Sequence, residues 1–259
     1  MKRKLNILIT NDDGIDAEGI RHLWMYLKEI ANLFLFAPAK NQTAVGLSIT
    51  LREPLQMKKL FWEEGTVVYS ISGTPADCVK LALAKHFHSF TPDLVVSGIN
   101  QGTNAGRNLL YSGTVAGAIE AVMHNIPAIA FSCHDNFCPD YTITQPYILK
   151  IVEHVLKHPL PQGTLLNVNF PDCQGGKPHG MKLTRQGKEH WAENFEERLH
   201  PSTQTSYYWL GAKLAKYEEQ EDCDVSWLQK GYVACVPIHV HELTDFGHLE
   251  AHRELFENF

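Results

Sequence analysis

The chain has 259 residues, 44% of them hydrophobic and 20% charged, with a formal net charge of −6 and a pI near 6.1. That length and composition suit one large α/β domain with an appendage and exclude long disorder. The acidic balance excludes a nucleic-acid duplex as partner, because a phosphate backbone demands a positive field.

The six cysteines (Cys78, Cys133, Cys138, Cys173, Cys223, Cys235) are scattered through a chain large enough to fold without staples, which points to reduced thiols. The basic start Met1-Lys2-Arg3-Lys4 is followed by an apolar run too short and too acidic-flanked for a signal peptide, and no run approaches a membrane span. A cytoplasmic protein without a membrane partner is expected. Cys133 and Cys138 flank His134 and Asp135, but no second Cys/His pair follows at zinc-finger spacing.

Leu5, Ile7, Leu8 and Ile9 form a run that suits a strand covered on both faces. Asp12 and Asp13 fall just past its carboxyl end, where loops of open α/β sheets carry ligand-binding groups. Two adjacent anions repel, so a cation or proton would stabilise them; the other reading is a turn with Gly14, with Asp16 capping the next helix. Ile20, Leu23, Trp24, Leu27 and Ile30 repeat at helical spacing, and Leu33 to Ala37 is a second buried strand, so residues 5 to 37 read as a βαβ unit. The polar loop Ala39 to Gly46 should face the same crevice as Asp12.

Strand-like segments around Ser48 to Met57 and Thr66 to Ile71, with a turn at Glu63-Glu64-Gly65, predict a small antiparallel annex. Thr74 can cap and Pro75 can start the following helix. Leu94 to Ser97 is the next central strand, and it ends in a loop rich in glycine and amide side chains, Gly98 to Asn108. Ser112 and Thr114 open a helix with Val115, Ala118, Ile119, Val122 and Met123 on its apolar face; a helix N-terminus with hydroxyls and free amides is an anion site, and plain capping is the alternative.

Pro127 to Ser132 is a further strand, Tyr147 to Val155 a helix, and Leu165 to Phe170 another strand. The reading is therefore a three-layer, Rossmann-like α/β core with a mainly parallel sheet over residues 1–170. An extension over 171–259 carries short strands (Met181 to Thr184, Tyr207 to Leu210, Tyr232 to Pro237) and a terminal helix from Thr244, its Phe246, Leu249, Leu255 and Phe256 expected to pack in the core or at a dimer contact. Trp191, Tyr207, Tyr208 and Trp209 suit packing or an interface better than stacking on a base.

Taken together, Leu8-Ile9-Thr10-Asn11-Asp12-Asp13-Gly14, Ala37-Pro38 with Asn41-Gln42-Thr43, Gly73-Thr74-Pro75-Ala76-Asp77-Cys78, Ser97-Gly98-Ile99-Asn100 and Tyr111-Ser112-Gly113-Thr114-Val115 resemble the SurE (survival protein E) nucleotidase family. Weaker landmarks are Thr184-Arg185-Gln186-Gly187, Gly231-Tyr232-Val233 and Pro237-Ile238-His239-Val240. The resemblance implies divalent-metal-dependent phosphomonoesterase activity on nucleoside monophosphates, and homodimers or homotetramers built partly through the extension. The family's metal ligands match Asp12, Asp13 and Asn100, with Thr43 where a serine is usual. Gln42 and Ala44 stand in place of the usual Arg and Gly, which removes a positive charge and stiffens the loop; Arg107 can supply that charge.

All these ligands are hard oxygen donors, which favours one Mg²⁺, Mn²⁺ or Ca²⁺ per subunit. On this hypothesis the cation polarises a phosphoryl oxygen and activates a water, with Asp12 and Asp13 as catalytic carboxylates. Ser112, the Gly113 amide and Thr114 hold phosphate oxygens, and Asn11 and Asn104 are further donors. Three rivals fit less well. A haloacid-dehalogenase phosphatase needs Asp-x-Asp, a non-catalytic receiver needs a later phospho-accepting Asp where none occurs between Asp16 and Asp77, and a dinucleotide-binding module needs Gly-x-Gly-x-x-Gly after the first strand.

Overall fold

A computed structural model describes residues 3–134, 140–173, 176–215 and 221–258; Asp135 and Cys138 lie outside them. The initial apolar run forms β1 (Leu5–Thr10), buried from Ile7 to Thr10. Its side chains alternate, as a pleated strand dictates. Ile7 and Ile9 join one buried cluster and Leu8 the other.

In chain order the elements that follow are α1 (Glu18–Leu27), β2 (Ala31–Pro38), β3 (Met57–Leu60), β4 (Val67–Ile71), α2 (Pro75–Lys85), β5 (Leu94–Gln101), α3 (Gly113–Met123), β6 (Ala128–Cys133), α4 (Gln145–Lys157) and β7 (Thr164–Phe170). They are completed by β8 (Met181–Leu183), β9 (His190–Leu199), β10 (Ser206–Ala215), α5 (Asp224–Gln229), β11 (Val233–His239) and α6 (Phe246–Glu257). One sheet runs β3-β4-β2-β1-β5-β6-β7-β11-β8, and β9 with β10 forms a separate antiparallel ribbon. The neighbours from β4 through β7 are parallel; β3 and β11 pair antiparallel with β4 and β7.

The first core cluster packs α1 and α4 against one face of the sheet, and the second packs α2 and α3 against the other, giving the three expected layers. Close approach is built from glycine. A Cβ on Gly19 of α1 would lie 1.9 Å from the Ile99 carbonyl oxygen, and one on Gly117 of α3 would lie 2.8 Å from Thr10 Cγ2. Both helices therefore sit tight on the β1–β5 pair. Strand order reverses at that pair, since the chain winds outward through β2 on one side and through β5, β6 and β7 on the other. Ligands of open α/β sheets bind at such a switch point.

Several expectations need correction. Asp16 does not cap α1; the cap residue is Ala17, without a side-chain hydrogen bond, and Asp16 lies 3.7 Å from Arg21 Nη2. Residues 48–56 are an irregular strap, not a strand. Their polar groups are bound by side chains in place of a ladder: the Thr50 N–H and hydroxyl donate to Asp77 at 3.0 and 2.6 Å, and the Thr74 hydroxyl donates to the Ser48 carbonyl at 2.7 Å. The expected antiparallel pair forms between β3 and β4 and lies at the edge of the main sheet. The terminal helix α6 buries none of its residues within the chain: Phe246, Leu255 and Phe256 are 50, 66 and 69% exposed. Among the described residues no helix is long and apolar enough to cross a membrane.

Candidate active site

The loops after β1, β2 and β5 and the start of α3 converge at the switch point. Odd–even alternation along β1 continues past its end, so Asp12 points to the α3 side like Leu8 and Thr10. It is 3% exposed, and the Thr114 hydroxyl donates to its Oδ1. Burial, and then the neighbouring charge of Asp13, push the Asp12 carboxyl up to about 7; hydrogen bonds from the Thr114 side chain and from the backbone of Asp12 and Thr114 oppose the shift. Burial also raises Asp13, partly offset by the Gln101 N–H, which donates to its Oδ2 at 3.0 Å. A crowded pair of this kind is stabilised by a proton or by a cation shared between the carboxylates.

Asn100 lies near the end of β5, beyond a register shift between Ser97 and Asn100 against β6. Its Nδ2 donates to the Gly102 carbonyl at 2.7 Å, so a cation would be met by Oδ1. The 39–46 loop reaches the site through backbone contacts: the Gln42 N–H donates to the Asp12 carbonyl at 2.7 Å and the Gly46 N–H to the Tyr111 carbonyl at 3.0 Å. Thr43 is exposed, and its N–H and hydroxyl donate to Asn41 Oδ1 at 2.7 and 2.5 Å, which leaves its oxygen lone pairs unused as donors to a metal. Ala44 takes φ 60°, a left-handed conformation costing an alanine roughly 1–2 kcal/mol, so the loop is held where a glycine would rest freely.

At the start of α3, Ser112 Oγ accepts the Val115 N–H at 3.1 Å, and its own hydrogen stays available to a ligand. Gly113 is required by contact: a Cβ there would lie 2.7 Å from Asp12 Cβ and 3.1 Å from Val45 Cγ1. The Thr114 hydrogen is committed to Asp12, so this residue orients the carboxylate. Arg107, exposed at the start of a 3-10 segment (Gly106–Tyr111), is anchored by its N–H on the Glu189 carbonyl at 2.8 Å.

Two expected donors are turned inward. Asn11 is fully buried, with Nδ2 on the Gly14 carbonyl at 2.8 Å, and Asn104, 6% exposed, gives Nδ2 to Ser132 Oγ at 2.7 Å. Burial denies a substrate oxygen access to Asn11, and Asn104 works inside the fold. Sequence reasoning missed the residues that brace these loops. Asp224 is buried and accepts the Gly106 N–H at 2.9 Å and the Gly187 N–H at 2.7 Å, and Asn167 and Asn169 reach Asn104 from β7. The available signal was a pair of asparagines on successive same-face positions of a strand otherwise apolar.

The family model described as "Survival protein SurE" matches residues 7–193. The chain is 52% identical to the "5'-nucleotidase SurE" of Protochlamydia amoebophila, over 100% of this chain and 99% of the relative. It is 40% identical to the protein of the same name from Caldanaerobacter subterraneus subsp. tengcongensis, over 94% of each. The solved SurE protein from Aquifex aeolicus superposes with a TM-score of 0.83 at 35% identity, over 96% of this chain and 99% of that one. With the acid pair, the β5 asparagine and the α3 cradle gathered at one switch point, and with similarity running the length of the chain, the protein belongs to the SurE family.

Proposed function

We propose that the chain is a divalent-metal-dependent phosphomonoesterase that releases phosphate from nucleoside 5′- and 3′-monophosphates, using one Mg²⁺, Mn²⁺ or Ca²⁺ per subunit. The observation that carries this reading is the Asp12–Asp13 pair, held at the switch point directly under the N-terminus of α3. The residues fit a hard cation: Asp12, Asp13, Asn100 and the exposed Thr43 offer oxygen, and two crowded carboxylates need a cation or a proton between them. When bound, the ion supplies Lewis-acid chemistry toward a phosphoryl oxygen and a water.

The chain's own groups do the rest. Thr114 fixes the Asp12 carboxylate and the Gln101 N–H fixes that of Asp13. In this reading the Ser112 hydroxyl, the Gly113 N–H and Arg107 hold the phosphate oxygens, and a water attacks phosphorus in line with the departing nucleoside hydroxyl. Residues 171–259 serve as the assembly arm of a homodimer or homotetramer, a role supported by the exposure of Leu210 (88%) and Leu255 (66%). The reduced thiols support a cytoplasmic setting.

The test is phosphate release from a panel of 5′- and 3′-nucleoside monophosphates with each cation and with EDTA. Metal-restored turnover is expected; folded protein that releases no phosphate with any of the three ions would overturn the reading.

A further inference from the structure

Asn104 is held by the sheet through three of its four polar groups. Its N–H donates to Asn169 Oδ1 at 2.7 Å, its carbonyl accepts from Asn167 Nδ2 at 2.9 Å, and its Nδ2 donates to Ser132 Oγ at 2.7 Å. Asn169 Oδ1 also accepts the Thr103 hydroxyl at 3.0 Å. Ser132, Asn167 and Asn169 lie on β6 and β7 and are fully buried. The residues so gripped belong to the loop that follows Asn100 and Gln101 at the end of β5. At its near end the Gly102 N–H is bound to the Cys133 carbonyl at 2.8 Å, the Asn100 amide to the Gly102 carbonyl, and the Gln101 N–H to Asp13. Movement at residues 103–104 therefore reaches both Asn100 and a donor to Asp13 within three or four residues.

Stability alone is a poor reason for these asparagines. Asn167 Oδ1 and Asn169 Nδ2 are buried without a partner among the described residues, and an unpaired buried polar atom destabilises a fold. Apolar residues would suit this buried face of β7 better, yet they would not grip Asn104. Local rules broken without local compensation mark functional sites.

We infer that Asn169, with Asn167 and Ser132, is a positioning residue that sets the cation-binding geometry of the Asn100 loop from the neighbouring strands β6 and β7; this rests on the metal-dependent reading above. Groups that orient metal ligands without touching the metal tune affinity about 10- to 100-fold. The grip acts through Thr103 and Asn104, and no substrate or metal contact by Asn169 is involved.

The experiment is calorimetric titration of Mn²⁺ into metal-free protein, alongside thermal melting of the same samples. Asn169→Ala is expected to weaken Mn²⁺ binding about 10-fold or more. Thr103→Val, which removes one of the two bonds to Asn169 and leaves β7 intact, is expected to show a smaller loss in the same direction and stands in if Asn169→Ala fails to fold. Thr164→Val provides the structural control: it breaks the 3.0 Å contact of Thr164 with His239 Nδ1 at the opposite end of β7, and should lower the melting temperature without changing Mn²⁺ affinity. If wild type binds Mn²⁺, Asp12→Asn does not, and both Asn169→Ala and Thr103→Val bind as wild type, the positioning role is overturned while the metal reading stands. If wild type itself shows no saturable binding, both fall.

Discussion

The switch point and the C-terminal ribbon treat their side chains in opposite ways. At the switch point the carboxylates are held by donors of the fold itself: Asp12 takes the Thr114 hydroxyl and Asp13 takes the Gln101 N–H. Along β9, β10 and α6 large apolar groups face solvent, with Leu210 88% and Trp209 61% exposed. The first region crowds two carboxylates whose charges oppose one another. The second leaves large apolar side chains uncovered within the chain, which is the basis of the assembly role proposed above. Substitutions should therefore change chemistry in one region and assembly in the other.

The largest effect is expected at Asp12. On the proposed reading Asp12→Asn removes a direct ligand, so phosphate release should fall more than about 100-fold, beyond the range seen for groups that only orient ligands. It should also separate stability from activity. Burial raises the folded-state pKa of Asp12 from 3.8 to about 7, so between those values the folded metal-free protein holds a proton that the unfolded chain has lost. Stability from this residue is present at low pH and is lost as pH rises through about 7. Melting of metal-free wild type across that window should show the loss, and Asp12→Asn should flatten it.

Next comes Gly113→Ala, whose new methyl carbon would meet Asp12 Cβ at 2.7 Å. Displacement of the carboxylate should lower kcat about 100-fold, the scale of a misplacement near 1 Å. Gly247→Ala in α6, where the nearest atom is 3.4 Å away, should leave kcat unchanged in the same assay. Arg107→Ala is expected to act mildly, raising KM several-fold with kcat nearly intact, because an exposed cation strengthens binding more than chemistry. Smallest in catalytic terms are Leu210→Glu and Leu255→Glu. Each should shift the sedimentation profile toward smaller species while per-site kcat holds and single-subunit stability changes by about 0.5 kcal/mol or less.

What the sequence reveals follows the same division. The β1–α1–β2 unit, the acid pair after β1 and the hydroxyl-rich start of α3 were legible, because each depends on spacing within a few residues. The braces were not. Asp224 reaches Gly106 across 118 positions and Asn104 meets Asn169 across 65, and no local pattern encodes either meeting. Ribbon strand β9 was missed for another reason. Its large apolar residues Trp191, Phe195 and Leu199 recur every fourth position amid charge, without the alternation a half-buried strand shows. The inward turn of Asn11 and Asn104 was hidden as well, since residue type shows that an amide can donate but not where its nitrogen points.

The central claim is that the Asp12–Asp13 pair works by holding a divalent cation. Its most direct test is phosphate release from a nucleoside 5′-monophosphate by EDTA-stripped wild type and Asp12→Asn as Mn²⁺ is added back. Turnover that rises with Mn²⁺ to saturation in wild type and stays near zero in the variant is the predicted result. Equal turnover in stripped and Mn²⁺-loaded wild type, or a variant restored to the wild-type rate, would contradict it.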